Sequence, residues 1–131
     1  PKIYFRDSGI LHSLLGISDY HQLSGNPKIG ASWEGFALEQ TLVLLSPADV
    51  YFWSTYSGAE VDLFFIMNGK RHGVEFKYSE APKSTKSMHV AIEELHLDHL
   101  WVVYPGKDSY PLTEKIKVIP LQGMKGTALT L

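Results

Sequence analysis

The sequence predicts a mixed α/β domain, with a central sheet flanked by helices. Three observations carry that expectation. Aromatic and β-branched runs alternate with helical stretches, Asn68-Gly69 stands as a hairpin turn between two apolar runs, and LWVVYP at 100–105 is apolar throughout, like a strand buried on both faces. With 131 residues the chain has the length of one domain, so residues 1–131 are read as a single unit.

The elements follow in order. KIYFR (2–6) is strand-like, and Asp7 is a plausible N-cap for a short helix through Leu15 that stops at Gly16. ISDYHQLSGNPKIG is rich in turn residues and reads as a loop. Residues 31–45, ASWEGFALEQTLVLL, have helical spacing that places Glu34, Leu38, Leu42 and Leu45 near one face, and Pro47 closes the helix. VYFWST (50–55) is a strand, and YSG turns the chain into the hairpin. After Lys77 the loop YSEAPKST leads to a helix over 86–95, then the strand at 100–105. KIKVIPL (115–121) is a last strand, with Pro120 marking it as an edge.

Composition narrows the function. Hydrophobic residues at 44% and charged residues at 20% are the balance of an ordinary globular protein, and no apolar run approaches the roughly 18 residues of a membrane span. The absence of cysteine excludes disulfides, thiolate metal sites and a cysteine nucleophile, and suits the cytoplasm. A net charge of −2 gives no global basic field, so a nucleic-acid partner would be held weakly, by a local patch or by another domain. The chain opens on Pro1 without a signal-peptide pattern, which reads as a piece of a longer protein.

The chemistry concentrates in GAEVDLFFIMNGKRHGVEFK, residues 58–77. In a hairpin with a two-residue loop at Asn68-Gly69, paired residues have numbers adding to 137, so Asp62 faces Glu75 and Glu60 faces Lys77. Opposed residues share a sheet face with Cβ atoms roughly 5 Å apart. Glu60, Asp62, Glu75 and Lys77 would therefore cluster, while Val61, Leu63, Phe65, Val74 and Phe76 point the other way into a core. Opposed carboxylates repel unless a cation lies between them, and Mg²⁺ is commonly held by one or two carboxylates plus water and a phosphate. A bulge at Gly69 would shift this register by one.

Asp62, followed thirteen residues later by Glu75-Phe76-Lys77, resembles the PD-(D/E)xK motif of the restriction-endonuclease-like superfamily, with Val61 in place of the proline and Glu34 as the additional helical acid. KIYFRDSGILHSLLGI, NPKIGASWEGFALEQ, YFWSTYSGAEVD and VEFKYSEAPKSTKS together resemble the C-terminal domain of unknown function that follows an AAA-type ATPase domain in many bacterial and archaeal proteins. The resemblance implies a restriction-endonuclease-like sheet and an N-terminal ATPase domain that this chain lacks, consistent with the absence of a G-x-x-x-x-G-K-[ST] loop. It further implies that Asp62, Glu75 and the Phe76 backbone carbonyl ligate Mg²⁺ or Mn²⁺. Glu34 would complete the shell directly or through water, and Lys77 would orient a water or stabilise developing charge in DNA phosphodiester hydrolysis. Glu60 would pair with Lys77 or be a further ligand.

Other readings stay beside this one. The D-x₁₂-E-x-K spacing arises often by chance, and taken alone Glu75 and Lys77 suit a solvated strand face better than a metal site. His96 and His99 lack a third ligand and read as surface residues at a helix end, and no G-x-S-x-G context supports a serine hydrolase. Trp33, Phe36, Phe52 and Trp53 read as core, with Trp53 or Tyr56 available at a site rim to stack on a base. Lys83 and Lys86 form a local basic patch that either grips a phosphate backbone or is solvated loop; Lys70 and Arg71 would add a few contacts. The alternative to a nuclease is a noncatalytic module that binds nucleic acid or protein and targets the ATPase, with homo-oligomerisation through an edge strand as a third expectation.

Overall fold

A computed structural model describes residues 29–47 and 49–124. The strand and helix expected over 2–15, and most of the loop after them, lie outside those residues. The described chain forms a six-stranded mixed sheet with one α-helix on each face.

Helix α1 (Ile29–Leu45) begins two residues before the expected Ala31 and ends as expected ahead of Pro47. Strands β1 (Tyr51–Ser54), β2 (Glu60–Met67) and β3 (Lys70–Phe76) form an antiparallel meander. The β2–β3 pairs run from Met67↔Lys70 to Leu63↔Val74, which is the expected register. Asn68 (φ 54°) and Gly69 (φ 75°) both occupy the left-handed region, as a type I′ turn requires, and the right-handed strand twist favours that turn. Helix α2 (Lys86–Leu95) crosses back so that β4 (His99–Tyr104) lies parallel to β3. Thr85 caps α2, its Oγ1 accepting the Met88 N–H at 3.3 Å.

Strand β6 (Ile116–Pro120) lies parallel to β4, and a two-residue strand β5 (Tyr110–Pro111) pairs with its outer side. The sheet order is therefore β1-β2-β3-β4-β6-β5, and β6 is not the edge that Pro120 suggested. Pro120 is the last residue of the strand, beyond the Lys117 and Val118 positions that β5 covers, so its missing N–H removes no bond to that neighbour. A 3₁₀ helix (Leu121–Met124) follows. No helix among the described residues is long and apolar enough to cross a membrane.

Two apolar layers sandwich the sheet. Leu63, Phe65, Val74, Phe76, Trp101, Val103 and Ile119 pack under α1 with Ala37 and Met124. Val61, Leu100, Val102, Tyr104, Ile116 and Val118 pack under α2 with Met88, Ala91 and Leu97. Val61 thus lies in the opposite layer from Leu63, which strict alternation does not allow. The cause is a β-bulge: from Tyr51↔Phe64 to Trp53↔Val61, β1 advances two residues while β2 covers three. It falls across Asp62 and Leu63, not at Gly69. Two aromatics expected in the core are also outside it, Phe36 at 41% and Phe52 at 43% exposure. Phe36 lies off the α1 stripe that meets the sheet, in a groove with Gln40, Leu44, Leu121 and Gln122, and Phe52 lies on the edge strand.

On the α1 side, Phe65, His72, His99 and Trp101 form a run of ring contacts with centroids 5.4–6.3 Å apart. Trp101 Nε1–H donates to His72 Nδ1 at 3.1 Å, so the neutral imidazole carries its proton on Nε2. Burial, and then the neighbouring His99, lower the His72 pKa below 6.5, with Asp98 opposing and Lys70 adding to the effect. As pH falls the unfolded chain takes up this proton first, so the stability His72 contributes is present above pH 6.5 and lost progressively below it. The melting temperature should fall between pH 7.5 and 5.5, and His72→Gln should flatten that slope in a thermal melt series; an unchanged slope would place the acid sensitivity elsewhere.

The loop after β4 crosses the Tyr104 ring, whose hydroxyl donates to Asp108 O (2.7 Å) and accepts Asp108 N–H (3.0 Å). A Cβ added at Gly106 would collide with that buried, pinned ring. Gly106→Ala should therefore destabilise by about 1–3 kcal/mol, and Tyr104→Leu in the same chain should recover part of the loss. Additive losses in urea melts would show that the ring is not the obstacle.

Candidate functional site

The site forms where β2 and β3 part. Their ladder ends at Leu63↔Val74, and beyond it the Asp62 side chain takes over: Oδ2 accepts the Phe76 N–H at 2.9 Å. The bulge that shifts Val61 into the other layer is local to this residue, and bulges beside functional sites characteristically re-aim a side chain. Asp62 is 2% exposed and Glu75 3%. The bond from Asp62 lands on the peptide joining Glu75 to Phe76, which brings the two acids to the same end of the hairpin.

Lys77 stands beside them. Its Nζ lies 3.7 Å from Glu75 Oε2, with the lysine side chain 41% exposed and the glutamate nearly enclosed. Its backbone N–H donates to Val103 O on β4 at 2.9 Å, so in this trans peptide the Phe76 carbonyl points away from β4, toward β2. The carbonyl and N–H of Phe76 therefore share the edge of β3 that Asp62 occupies.

Val74 and Phe76 face α1, so Glu75 between them faces the α2 layer beside Val102. Glu34 belongs to α1 and the opposite layer, half-buried on the stripe that includes Ala37, Leu38 and Thr41. The start of α1 is nevertheless close to the end of β3. Trp33 contacts the Tyr78 ring with centroids 6.0 Å apart, and a Cβ at Gly30 would lie 3.7 Å from Tyr78 Cβ. Among the described residues, no three His, Asp or Glu side chains close around a metal-sized point.

Glu60 opens β2 and is half-buried. Its N–H donates to Ser87 Oγ at 3.0 Å, and the serine hydroxyl lies 3.4 Å from the Glu60 carbonyl, tying the strand to the first turn of α2. Lys83 and Lys86 are exposed on the segment that follows the site. Arg71 is occupied at the other end of the hairpin: Nε donates to Leu95 O at 2.7 Å, and the guanidinium lies 4.9 Å over the Phe64 ring. Its backbone N–H donates to Asp98 Oδ2 and holds that carboxyl below the usual range. His96 and His99 separate, His96 capping α2 in the left-handed region and His99 joining the ring stack. The His72–Trp101 pair escaped sequence reading, since only the β3–β4 register brings the two residues together.

The class defined by this geometry is an α+β domain with two buried acids and a lysine where an antiparallel hairpin opens beside a parallel strand. The chain belongs to the domain of unknown function family DUF4143, which it matches over residues 29–124. It is similar to the uncharacterized protein Mb2031c of Mycobacterium bovis and to the uncharacterized protein Rv2008c of Mycobacterium tuberculosis, 47% identical to each over 120 residues. The match takes in 92% of this chain and 27% of each relative, so the chain spans about a quarter of their length. No solved structure matches it.

Proposed function

We propose that the domain holds Mg²⁺ or Mn²⁺ at Asp62 and Glu75 and hydrolyses DNA phosphodiesters there, as part of a longer protein with an AAA-type ATPase. The observation that carries this reading is the burial of two carboxylates at one parting of strands, with 2% and 3% exposure. Buried anions are costly unless matched by positive charge; Lys77 brings one, and a dication would bring two more. The donor set fits, since Asp62, Glu75 and the Phe76 carbonyl are hard oxygens and Mg²⁺ keeps several waters. Glu34, on the other layer, would act through water.

A bound cation would polarise a phosphate oxygen and lower the pKa of a water. Asp62 and Glu75 would orient that water, and Asp62 stays fixed by the Phe76 N–H. Lys77 has an exposed tip that would move from Glu75 to the phosphate and stabilise charge as the bond to the leaving oxygen breaks. Lys83 and Lys86 would supply a few phosphate contacts, giving weak duplex binding with a shallow salt dependence. Nearly three quarters of each relative lies outside the matched segment, which leaves room for an ATPase.

The second reading, a noncatalytic interaction module, draws support from the ligand set, in which no third acid among the described residues closes on the pair. Calorimetric titration with Mn²⁺ separates the two. Wild type should bind the ion and Asp62→Asn should not; equal, negligible binding by both would remove the enzyme reading and leave the module.

A further inference from the structure

We infer that the β1–β2 turn and the first turn of α2 form a subsite for unpaired, single-stranded DNA, with Tyr56 stacking on a base and Lys86 contacting a phosphate. This rests on the reading that the domain acts on DNA, and it specifies the form of that DNA.

The turn is rigid. Thr55 N–H donates to Ala59 O (2.8 Å), Gly58 N–H to Thr55 O (3.1 Å) and Ala59 N–H to Thr55 Oγ1 (3.2 Å), while the Thr55 and Ser57 hydroxyls lie 2.8 Å apart. This frame holds the Tyr56 side chain fully in water. The fold buries none of that ring, so both of its faces are open to a stacking partner. Ser87 ties the adjoining strand to α2, and a groove of about 310 Å³ lies between them, lined by Ser57, Gly58, Ala59, Lys86, Ser87 and Val90.

The charges on α2 run against its own stability. A helix dipole favours acids in the first turn and bases in the last, yet Lys86 opens α2 while Glu93 and Glu94 close it. Lys86 lines the groove and is exposed, and Lys83 is exposed three residues before it. A protruding ring next to a groove that holds a cation is an arrangement suited to single strands, where each base offers a free face. In a duplex those faces are already stacked on one another, so the ring would have nothing to meet. Ala59 is three residues from Asp62, roughly 10 Å along the strand, so a base on Tyr56 would lie within a few nucleotides of a phosphate at the acid pair.

The test is fluorescence anisotropy with a fluorescein-labelled twelve-nucleotide oligo-dT and a duplex of equal length, over a salt series. Tyr56→Ala should weaken oligo-dT binding about 5- to 100-fold and leave the duplex unchanged, whereas Tyr56→Phe, which keeps the ring face, should match wild type. Lys86→Gln should lower the salt slope on oligo-dT by about 0.7. Unaltered oligo-dT binding by Tyr56→Ala, an equal loss on duplex, or no oligo-dT binding by wild type would overturn the subsite, the last leaving Tyr56 to a protein partner. Mn²⁺ titration of the same variants keeps the two proposals apart, because Tyr56 is no ligand: metal binding without Tyr56-dependent affinity sinks only the subsite, and the reverse sinks only the catalytic centre.

Discussion

Asp62→Asn should lower Mn²⁺ affinity more than about 100-fold and abolish DNA cleavage, with the fold intact. Even residues one step removed from a metal typically cost 10- to 100-fold, and this one would be a direct ligand. The asparagine keeps an oxygen that can accept the Phe76 N–H now held at 2.9 Å, so the strand junction survives. A weaker, uncharged hydrogen bond is offset by relief of repulsion with Glu75, and the metal-free melting temperature should move by only a few degrees. Lys77→Ala should dissociate the two activities: Mn²⁺ binding persists, since an ammonium is no ligand, while cleavage falls about 10²- to 10³-fold. Cleavage should be assayed with a longer protein carrying the proposed ATPase as well as with this chain, because a few lysines give little affinity for DNA. Loss of metal binding in Lys77→Ala would mean that the lysine shapes the site and does not act in the reaction.

The largest effect on stability should come from Phe76→Ala, at about 3–5 kcal/mol. Phe76 is buried under α1 with Leu63, Val74, Trp101 and Val103, although its neighbours Glu75 and Lys77 belong to the site. For a domain of this size such a loss lowers the melting temperature by about 10–20 °C. Glu75→Gln, one residue away, should change it far less. A Phe76→Ala protein that melts near wild type would mean that the junction is held by its hydrogen bonds alone.

The hairpin was legible because Asn68-Gly69 admits essentially one turn, and that turn fixes each pair from Met67↔Lys70 to Leu63↔Val74. Helix α2 was legible as an element over about 86–95, whereas its Thr85 cap emerges only from the structure. The bulge at Asp62 and Leu63 was not, since no glycine or proline marks it and it arises from the pairing with β1. That single unmarked residue decided two things at once, the layer of Val61 and the aim of Asp62. The approach of Glu34 was half legible: the helix face could be counted, but which sheet face the helix covers is settled only by the layers. Strand β5 was invisible because two residues carry no periodicity.

The bond from Lys77 N–H to Val103 O also bears on when this end of the hairpin takes shape during folding. A hairpin closes in about 1–10 μs, so β2 and β3 can pair before the rest of the sheet exists. The parallel partner arrives across a long connection, with His72 opposite His99, and its pairing must wait for that loop to close and α2 to dock. In that order Asp62 and Glu75 would be brought near one another while still in water, where like charges repel weakly, and would be enclosed only when β4 seats beside them. If β4 docks last, the charge conflict at the strand junction would fall on a late step of folding, and a cation that relieves it would slow unfolding more than it speeds folding.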